Sequence, residues 1–451
     1  MEIIGTRRIR PEEVEDLYLR NMNAAGMMRI VLDLAESRGL HLVDQLTHRT
    51  YLDFFGFYAS SAVGMNHPKM RDDEEFLQRL MDVAINKITN SDVRSVHMAR
   101  FLSTFERLAK PEYLPYAFFV AGGALAVENA LKTAFDWKVR KNFQNGYDRE
   151  LGHQVLHFTE SFHGRSGYTL SLTNTSDPLK IKYFPKFDWP RVANPKMVFP
   201  VDAHLADIER REEEALADVK RHFRERRDDI ACVLIEPIQG EGGDNHFRSE
   251  FLARLRDVTH ENDALLIFDE VQTGVGMTGT FWAHQALGVE PDIIAFGKKS
   301  QVCGILAGRK LDEVDENVFH ERSRINSTWG GNIVDMVRFD RILEIIEEDR
   351  LVENAAAVGD HLMAGLLAIQ EAQPVVTNAR GRGLFCAADL PGMEFRDSVL
   401  KRCYDEGLII LGCGTRSIRF RTPLTVTSTE IDEGLSILSR AIDRVKAGAN
   451  A

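Results

Sequence analysis

The sequence predicts an α/β fold in which a mostly parallel central sheet is flanked by helices, with a smaller α/β domain at the C-terminal end. Short apolar runs alternate with helical patterns, which is typical of parallel strands that are buried on both faces. The 451 residues, 44% of them hydrophobic, suffice for more than one core. The predicted strands of the large domain lie at residues 117–120, 154–158, 230–235, 264–268 and 292–296.

Helices are predicted between and after these strands. Apolar residues at helical spacing follow Gly122-Gly123, and further helices are predicted at 251–261 and 335–348. The C-terminal pattern changes to a helix, short strands at 383–388, 408–411 and 417–421, and a final helix from Ser428. We therefore predict an N-terminal segment (1–70) that packs with the small domain, a large domain (71–345) and a small C-terminal domain (346–451).

Composition excludes several classes of partner. The formal net charge of −12 is spread along the chain, whereas nucleic-acid binding needs clustered Lys and Arg. The five cysteines form no C-x-x-C pair, so reduced thiols fit better than a disulfide framework or a metal site. No apolar stretch resembles a secretory signal or a membrane helix. We expect a cytoplasmic protein that binds neither nucleic acid nor membrane, and we predict no metal site.

Polar residues follow four of the predicted strands at the points where these strands end. They are Gly122-Gly123, Glu236-Pro237, Asp269-Glu270 and Lys298. In open α/β sheets, ligands bind at the carboxyl edge of the strands. The sequence therefore predicts a single site at this edge.

Lys298 and Asp269 carry the chemistry that the sequence suggests. A lysine in an apolar site has a lowered pKa, as Schiff-base chemistry requires, although the adjacent Lys299 leaves open which lysine reacts. A buried Asp269 needs a cationic partner, and a protonated pyridine nitrogen would serve. The alternative for Asp269 is a helix N-cap. The N-terminus of the helix after Gly122-Gly123 would suit a phosphate, and the alternative is a simple turn from strand to helix.

Two other enzyme classes fit the sequence less well. An ATPase would need a G-x-x-x-x-G-K-[ST] loop, which the sequence lacks. Gly274, Gly276 and Gly279 spell G-x-G-x-x-G, the pattern of a nicotinamide dehydrogenase. Here the pattern begins too far after its strand, and no helical pattern follows the third glycine.

A set of motifs, in order, resembles the class III (ω-amino acid) aminotransferases, which have the fold type I of pyridoxal 5′-phosphate (PLP) enzymes. The motifs are FVAGGALAVENALK, SFHGR, IEPIQGEGG, LLIFDEVQTGVGMTG, PDIIAFGKK and STWGGN. The resemblance covers roughly residues 30–445. The interval from Asp269 to Lys298 resembles that of the family and favours Lys298 over Lys299.

The resemblance implies PLP as the cofactor and a homodimer with shared active sites. Lys298 would hold the cofactor as a Schiff base and move the proton, while Asp269 would pair with the pyridine nitrogen. The other implied cofactor contacts are Gly123 and Ala124 at the phosphate, Thr328 reaching the phosphate from the neighbouring subunit, Phe162 and Val271 on the faces of the ring, and Gln272 at the ring hydroxyl.

Two departures from the usual family pattern are informative. The S-G-x-E-A phosphate motif reads GGALA at 122–126, so the phosphate would rely more on backbone groups. The usual glycine-rich run after the lysine is replaced by KSQVC at 299–303. With GGALAVENALKTAFDWK and FHGRSGYTLSLTNT, that replacement resembles the lysine 6-aminotransferase branch of the family.

That branch implies L-lysine and 2-oxoglutarate as substrates of a ping-pong reaction, with L-glutamate and 2-aminoadipate 6-semialdehyde as products. Arg165 would bind the remote carboxylate of either amino acid, and Arg419 the near carboxylate of glutamate. With lysine bound, Glu241 would neutralise Arg419, and Asn326 is a further implied substrate contact. The alternatives are ornithine, acetylornithine or 4-aminobutyrate as the amino donor, or a PLP-fold binding protein without turnover.

Overall fold

The computed structural model describes residues 9–24 and 26–449, and a seven-stranded sheet lies at the centre of the larger part of the molecule. In chain order, the strands in these residues are β1 His41–Val43, β2 Thr50–Asp53, β3 Tyr116–Val120, β4 Gln154–Phe158, β5 Arg191–Val192, β6 Ile230–Ile235, β7 Ile238–Gln239, β8 Asn245–His246, β9 Leu265–Asp269, β10 Ile293–Phe296, β11 Cys303–Ala307, β12 Thr377–Arg382, β13 Phe385–Asp389, β14 Leu408–Ile409, β15 Leu411–Cys413 and β16 Ser417–Phe420.

Helices surround the sheets. Those in the described residues are α1 Val14–Asn21, α2 Gly56–Ala59 (a single left-handed turn), α3 Pro68–Arg71, α4 Glu74–Ile85, α5 Val96–Leu108, α6 Gly123–Gln144, α7 Gly167–Leu172, α8 Val201–Glu225, α9 Ser249–Glu261, α10 Ala283–Leu287, α11 Ile333–Glu348, α12 Leu351–Ala372, α13 Met393–Asp405 and α14 Ser428–Ala449. Short 3₁₀ helices lie at Pro11–Glu13, Pro178–Lys180, Lys298–Ser300 and Arg309–Glu313.

The central sheet has the strand order β3-β11-β10-β9-β6-β4-β5. The prediction of a mostly parallel sheet is confirmed, and each of the five predicted strands lies within one residue of its predicted bounds. The sequence did not predict β11, which runs antiparallel to both β3 and β10. Only residues 297–302 separate β10 from β11. Because a parallel return needs a crossover of about a dozen residues, this short connection produces an antiparallel strand.

Alternating residues of the central strands pack into two different cores, one on each face of the sheet. In β9, Leu266 and Phe268 join the larger core, whereas Leu265 and Ile267 join the second core around α6. Strand β10 divides its side chains in the same way. Burial on both faces explains why these strands read as continuous apolar runs in the sequence.

A smaller sheet, in the order β12-β13-β16-β15, lies in the C-terminal region. The final helix begins at Ser428 as predicted, but the predicted strand 408–411 is divided between β14 and β15. Strand β14 pairs in parallel with β2, so the N-terminal region joins the C-terminal one through Leu52 and Leu408. The polar sequence of β12 gave no strand signal. The domain bounds at residues 70 and 345 stay a prediction.

None of the described helices is long and apolar enough to cross a membrane. The five cysteines are free and buried.

Candidate active site

Two adjacent lysines follow β10 and Gly297, and their surroundings differ. Lys298 is half-buried and lines a cavity of about 550 Å³. Burial lowers the pKa of the Lys298 amine, and the nearby Asp269 carboxylate partly offsets that shift. Lys299 is only 1% exposed, and its Nζ donates to the carbonyl oxygen of Ala59 at 2.9 Å. Lys298 is therefore the amine that is open to a ligand.

Asp269 ends β9 and is buried. Its Oδ2 lies 2.8 Å from Nδ1 of His163, and its Oδ1 accepts from the backbone N–H of Val271 at 3.0 Å. After Asp269, the next helix in the described residues begins only at Ala283, so Asp269 is not a helix N-cap. The carboxylate is held in place and remains available to a cation at the carboxyl edge of the sheet.

Glu236 follows β6 and lies beside Asp269. Its two oxygens accept from the backbone N–H groups of Phe162 and Gly240, both at 2.9 Å. Burial raises the pKa of Glu236 to about 7, and the negative charge of Asp269 contributes. Glu236 therefore fixes the Phe162 segment to the sheet edge.

The N-terminus of α6 packs against the same edge. A Cβ on Gly123, the first helical residue, would lie 2.9 Å from Cγ1 of Val271, and a Cβ on Gly297 would lie 3.3 Å from the same atom. Ala124 in turn fills the space beside Gly164, where a Cβ would approach to 2.6 Å. Val271 thus joins the helix N-terminus to the strand end that carries the lysine pair, and the glycines permit that contact.

Gln272 is held by two arginines from β16 and the residue after it. Its Oε1 accepts from Nη1 of Arg419 at 3.3 Å and from Nε of Arg421 at 2.9 Å. Arg421 is fully buried and forms a two-point ion pair with Asp244. A Cβ on Gly240 would lie 2.4 Å from the Gln272 Oε1, so this glycine makes room for the side chain.

In this conformation Glu241 pairs with a residue other than Arg419, and its pairing with Arg419 when lysine is bound stays a prediction. Oε1 of Glu241 instead accepts from Nζ of Lys180 at 2.5 Å and from Oγ1 of Thr175 at 2.7 Å. Oε2 of Glu241 and Nε of Arg419 are both buried and have no hydrogen-bond partner among the described residues. The sequence gave no sign of this ion pair because Lys180, at the end of a short 3₁₀ helix, is distant from Glu241 along the chain.

The structure does not bring the remaining predicted substrate and cofactor residues into contact with this cluster. Arg165 is exposed and makes no hydrogen bond or ion pair within the described residues. Asn326 and Thr328 are also exposed in the single chain. Asn326 accepts from the N–H of Ser327, and the carbonyl of Thr328 accepts from Ser91.

A left-handed turn borders the cavity beside Lys298. All residues of Gly56–Ala59 have φ between 50° and 69°, which is unfavourable for residues other than glycine. Lys299 donates to the carbonyl of Ala59, and Nε2 of Gln301 donates to that of Ser60 at 3.0 Å. The KSQVC run that departs from the usual family pattern thus holds this turn.

Two polar features near β9 do not join the site. Glu270 turns into the protein, where it accepts from the N–H groups of Ala283 and His284 and contacts Nδ1 of His284, each at 2.9 Å. The glycines at 274–279 form a turned loop, and the next helix begins only at Ala283.

Sequence reasoning assigned no role to His163, Glu236, Lys180 and Arg421. His163 and Glu236 lie inside quoted motifs, and Glu236 was noted only as a polar residue at a strand end. Arg421 lies two positions from Arg419 on the chain, and its partner Asp244 is distant in sequence. Such long-range pairs leave no local pattern.

A model of the family described as "Aminotransferase class-III" matches residues 22–442. The chain belongs to the class III aminotransferases. This aminotransferase is 53% identical over 441 residues to the "L-lysine-epsilon aminotransferase" of Mycobacterium tuberculosis, with 97% of each chain covered. It is 52% identical over 416 residues to the protein of that name from Amycolatopsis lactamdurans, with 92% of each covered.

A solved structure resembles this aminotransferase along almost its whole length. It is the lysine aminotransferase from M. tuberculosis in the internal aldimine form, with a TM-score of 0.95, 53% identity, and coverage of 97% of this chain and 100% of that one. The predicted family, fold class and PLP dependence are confirmed.

The residues at the carboxyl edge fit PLP. The half-buried Lys298 has a lowered pKa, which suits an amine that joins a carbonyl group. The buried Asp269 carboxylate suits a ring cation, and the N-terminus of α6 suits a phosphate. Because Gly123 has no Cβ, the N-terminus of α6 can pack against Val271, with which a Cβ at this position would collide.

Proposed function

We propose that this aminotransferase transfers the ε-amino group of L-lysine to 2-oxoglutarate in two successive half-reactions. The products are 2-aminoadipate 6-semialdehyde and L-glutamate. The observation that carries the proposal is the similarity, at 53% identity across 97% of both chains, to a relative that bears the lysine-epsilon name. The substrates are small molecules, as expected of an aminotransferase.

PLP, when bound, supplies an aldehyde that accepts the amino group and a ring that withdraws electrons from the substrate carbon. Lys298 would attach it and Asp269 would stabilise the protonated ring nitrogen. The remaining residues that would hold the cofactor are Phe162 and Val271 at the ring faces, Gln272 at the ring hydroxyl, and Gly123, Ala124 and the partner subunit's Thr328 at the phosphate.

Lys298 is also the group that would move the proton during transfer. A general base works best when its pKa lies near the working pH, and burial shifts the Lys298 pKa in that direction. The adjacent Lys299 is the alternative base, but its amine donates to the carbonyl of Ala59. This arrangement supports Lys298 as the base.

Substrate recognition has to accept two molecules of different shape. Lysine reacts at the end far from its carboxylate, whereas glutamate reacts beside one carboxylate and carries a second at the far end. Arg419 would bind the near carboxylate of glutamate, and Arg165 with Asn326 would receive the remote carboxylate of either substrate. Glu241 would neutralise Arg419 when lysine is bound.

We also propose a cytoplasmic homodimer with shared active sites. The exposure of Asn326 and Thr328 in the single chain supports a second subunit that receives them. The large apolar side chains of Leu179, Tyr183 and Phe184, which are close to Lys180 in the sequence, are exposed in the single chain, and a second subunit would cover them. Five buried, unpaired cysteines favour a reducing compartment.

Nitrogen-15 labelling tests the reaction directly. The holoenzyme is incubated with 2-oxoglutarate and lysine labelled at either the ε- or the α-nitrogen, and the glutamate is examined by mass spectrometry. We expect label in glutamate from ε-labelled lysine alone. Transfer from ornithine, N-acetylornithine or 4-aminobutyrate at a kcat/KM above that of lysine would overturn the substrate assignment. Absence of transfer from every donor would favour the non-catalytic alternative.

A further inference from the structure

The carboxylate of Glu241 lies in a pocket of hydrogen-bond donors that is separate from Arg419. Lys180 and Thr175 both donate to its Oε1, at 2.5 and 2.7 Å. The Glu241 side chain is 16% exposed and that of Lys180 is 30% exposed, so solvent screens this ion pair only in part.

The segment that carries Lys180 is ordered around this contact. Oγ1 of Thr175 also accepts from the N–H of Asp177 at 3.2 Å, and the side chain of Asp177 caps the Pro178–Lys180 turn through the N–H of Leu179 at 3.0 Å. The backbone around Glu241 is fixed as well, since its carbonyl accepts from the N–H of Gly414 at 2.8 Å. A change of partner for Glu241 would therefore move its side chain and leave its backbone in place.

The buried guanidinium of Arg419 has room in its hydrogen bonding for an anion, and no carboxylate contacts it in this conformation of the described residues. Arg419 is 5% exposed, and its Nη1 donates to Gln272 at 3.3 Å, but its Nε is buried and has no partner in the part of the chain that the structure describes. An unpartnered buried donor on a cation is costly, so a carboxylate that reaches it gains a charge-assisted hydrogen bond. Glu241 supplies an unpartnered oxygen of its own, Oε2.

We propose that Lys180 is a positioning residue that sets substrate preference by competing with Arg419 for Glu241. With Glu241 on Lys180, Arg419 is open to the near carboxylate of glutamate or 2-oxoglutarate. With Glu241 on Arg419, the site is neutral beside the reacting carbon and accepts the methylene chain of lysine. The Nζ of Lys180 lies 5.9 Å from the ring centre of Phe162, so the pair stands beside the residue that is proposed to face the cofactor ring.

Lys180→Met tests this role, because it keeps the length of the side chain and removes its charge. The inference rests on the proposed lysine specificity, so wild-type half-reactions are measured first, as single turnovers with lysine and with glutamate. We expect Lys180→Met to raise the ratio of the lysine to the glutamate kcat/KM by about tenfold, the effect of about 1.4 kcal/mol. The loss for glutamate should appear mainly in KM, and glutarate, a dicarboxylate that does not react, should bind more weakly in calorimetry.

Three variants separate this role from simpler ones. Lys180→Arg should restore the wild-type ratio, and Lys182→Met, which removes a charge from an exposed neighbour, should leave the ratio unchanged. In a Glu241→Gln background, Lys180→Met should have no further effect on the ratio. A loss of glutamate binding that persists in that background would mean that Lys180 attracts the carboxylate itself, which overturns the inference.

The two proposals fail in different ways. If wild-type enzyme does not transfer the ε-amino group of lysine, the proposed function fails and the glutarate affinity still reports on Lys180. If wild-type transfers it and Lys180→Met changes both half-reactions equally, the role of Lys180 is wrong while the function stands.

Discussion

His163 and Asp269 form a buried pair in which Nδ1 of the imidazole lies 2.8 Å from a carboxylate oxygen. The backbone N–H of His163 donates to Oγ1 of Thr173 at 3.1 Å, so the backbone that carries the imidazole is also held in place. The pair ties the SFHGR segment to the end of β9. Asp269 therefore points toward the carboxyl edge in one orientation before any ligand arrives.

Replacing Asp269 by Asn should remove the charge and keep the fold. The Asn oxygen can still accept from His163, so we expect cofactor content and secondary structure close to wild type. Turnover should fall by about 10²–10³-fold, the scale of a lost electrostatic interaction in a site that excludes water. Cofactor absorbance and single-turnover rates measure both quantities. Near wild-type rates would mean that Asp269 only orients His163.

Borohydride reduction should fix the cofactor to Lys298. The two adjacent lysines differ in their surroundings, because Lys298 lines the cavity and Lys299 donates to Ala59. Peptide mass mapping after reduction should therefore place the adduct on Lys298 in wild type and equally in Lys299→Met. An adduct on Lys299 would reverse the assignment.

The sequence was sufficient to predict the buried parallel strands because a strand that is buried on both faces must be a continuous apolar run. The same argument located Asp269, Glu236 and Lys298 at one edge. Strand β11 was missed because its five residues, CGILA, follow β10 after a connection too short for a further parallel strand. Strand β12 was missed because its residues, TNARGR, are mostly polar.

The contacts around Glu241 and Arg421 could not be predicted for a different reason. Arg421 pairs with Asp244, and Glu241 with Lys180, across long stretches of chain. Each of these side chains has several possible partners of opposite charge, and only the tertiary packing selects one. The motif predicted that Glu241 matters, but it did not predict the resting partner.

Lys299 should make stability depend on pH. Burial lowers the pKa of Lys299 to about 7 from an ordinary value of 10.5. Between these values the unfolded chain holds a proton that the folded chain does not, so stability rises with pH across that window. The wild-type free energy of unfolding, minus that of Lys299→Met, should therefore increase from pH 7 to 9, by at most about 1.4 kcal/mol per pH unit.

Denaturant unfolding of both proteins at several pH values gives that difference. Lys182→Met serves as the control, because Lys182 is exposed and its removal should give a difference that does not change with pH. A flat difference for Lys299→Met would show that the folded protein keeps Lys299 charged throughout, for instance by pairing with Asp53.

Glu241→Ala should slow the lysine half-reaction more than the glutamate half-reaction. Without Glu241, the charge of Arg419 cannot be neutralised when the methylene chain of lysine lies beside it. Glutamate brings its own carboxylate to Arg419 and is less affected. We expect about a tenfold or greater loss for lysine, comparable to leaving one buried charge-assisted hydrogen bond unmade. The loss should be smaller than that from breaking a fully buried pair, because the resting partner Lys180 is 30% exposed and solvent replaces part of that contact.

The variant should also admit lysine in the reverse direction, with its α-carboxylate on Arg419, so α-labelled lysine should now pass nitrogen to glutamate. Equal losses in both half-reactions with no α-transfer would assign Glu241 to holding the Thr175–Lys180 segment, and the preference between substrates would then have to arise at Arg165.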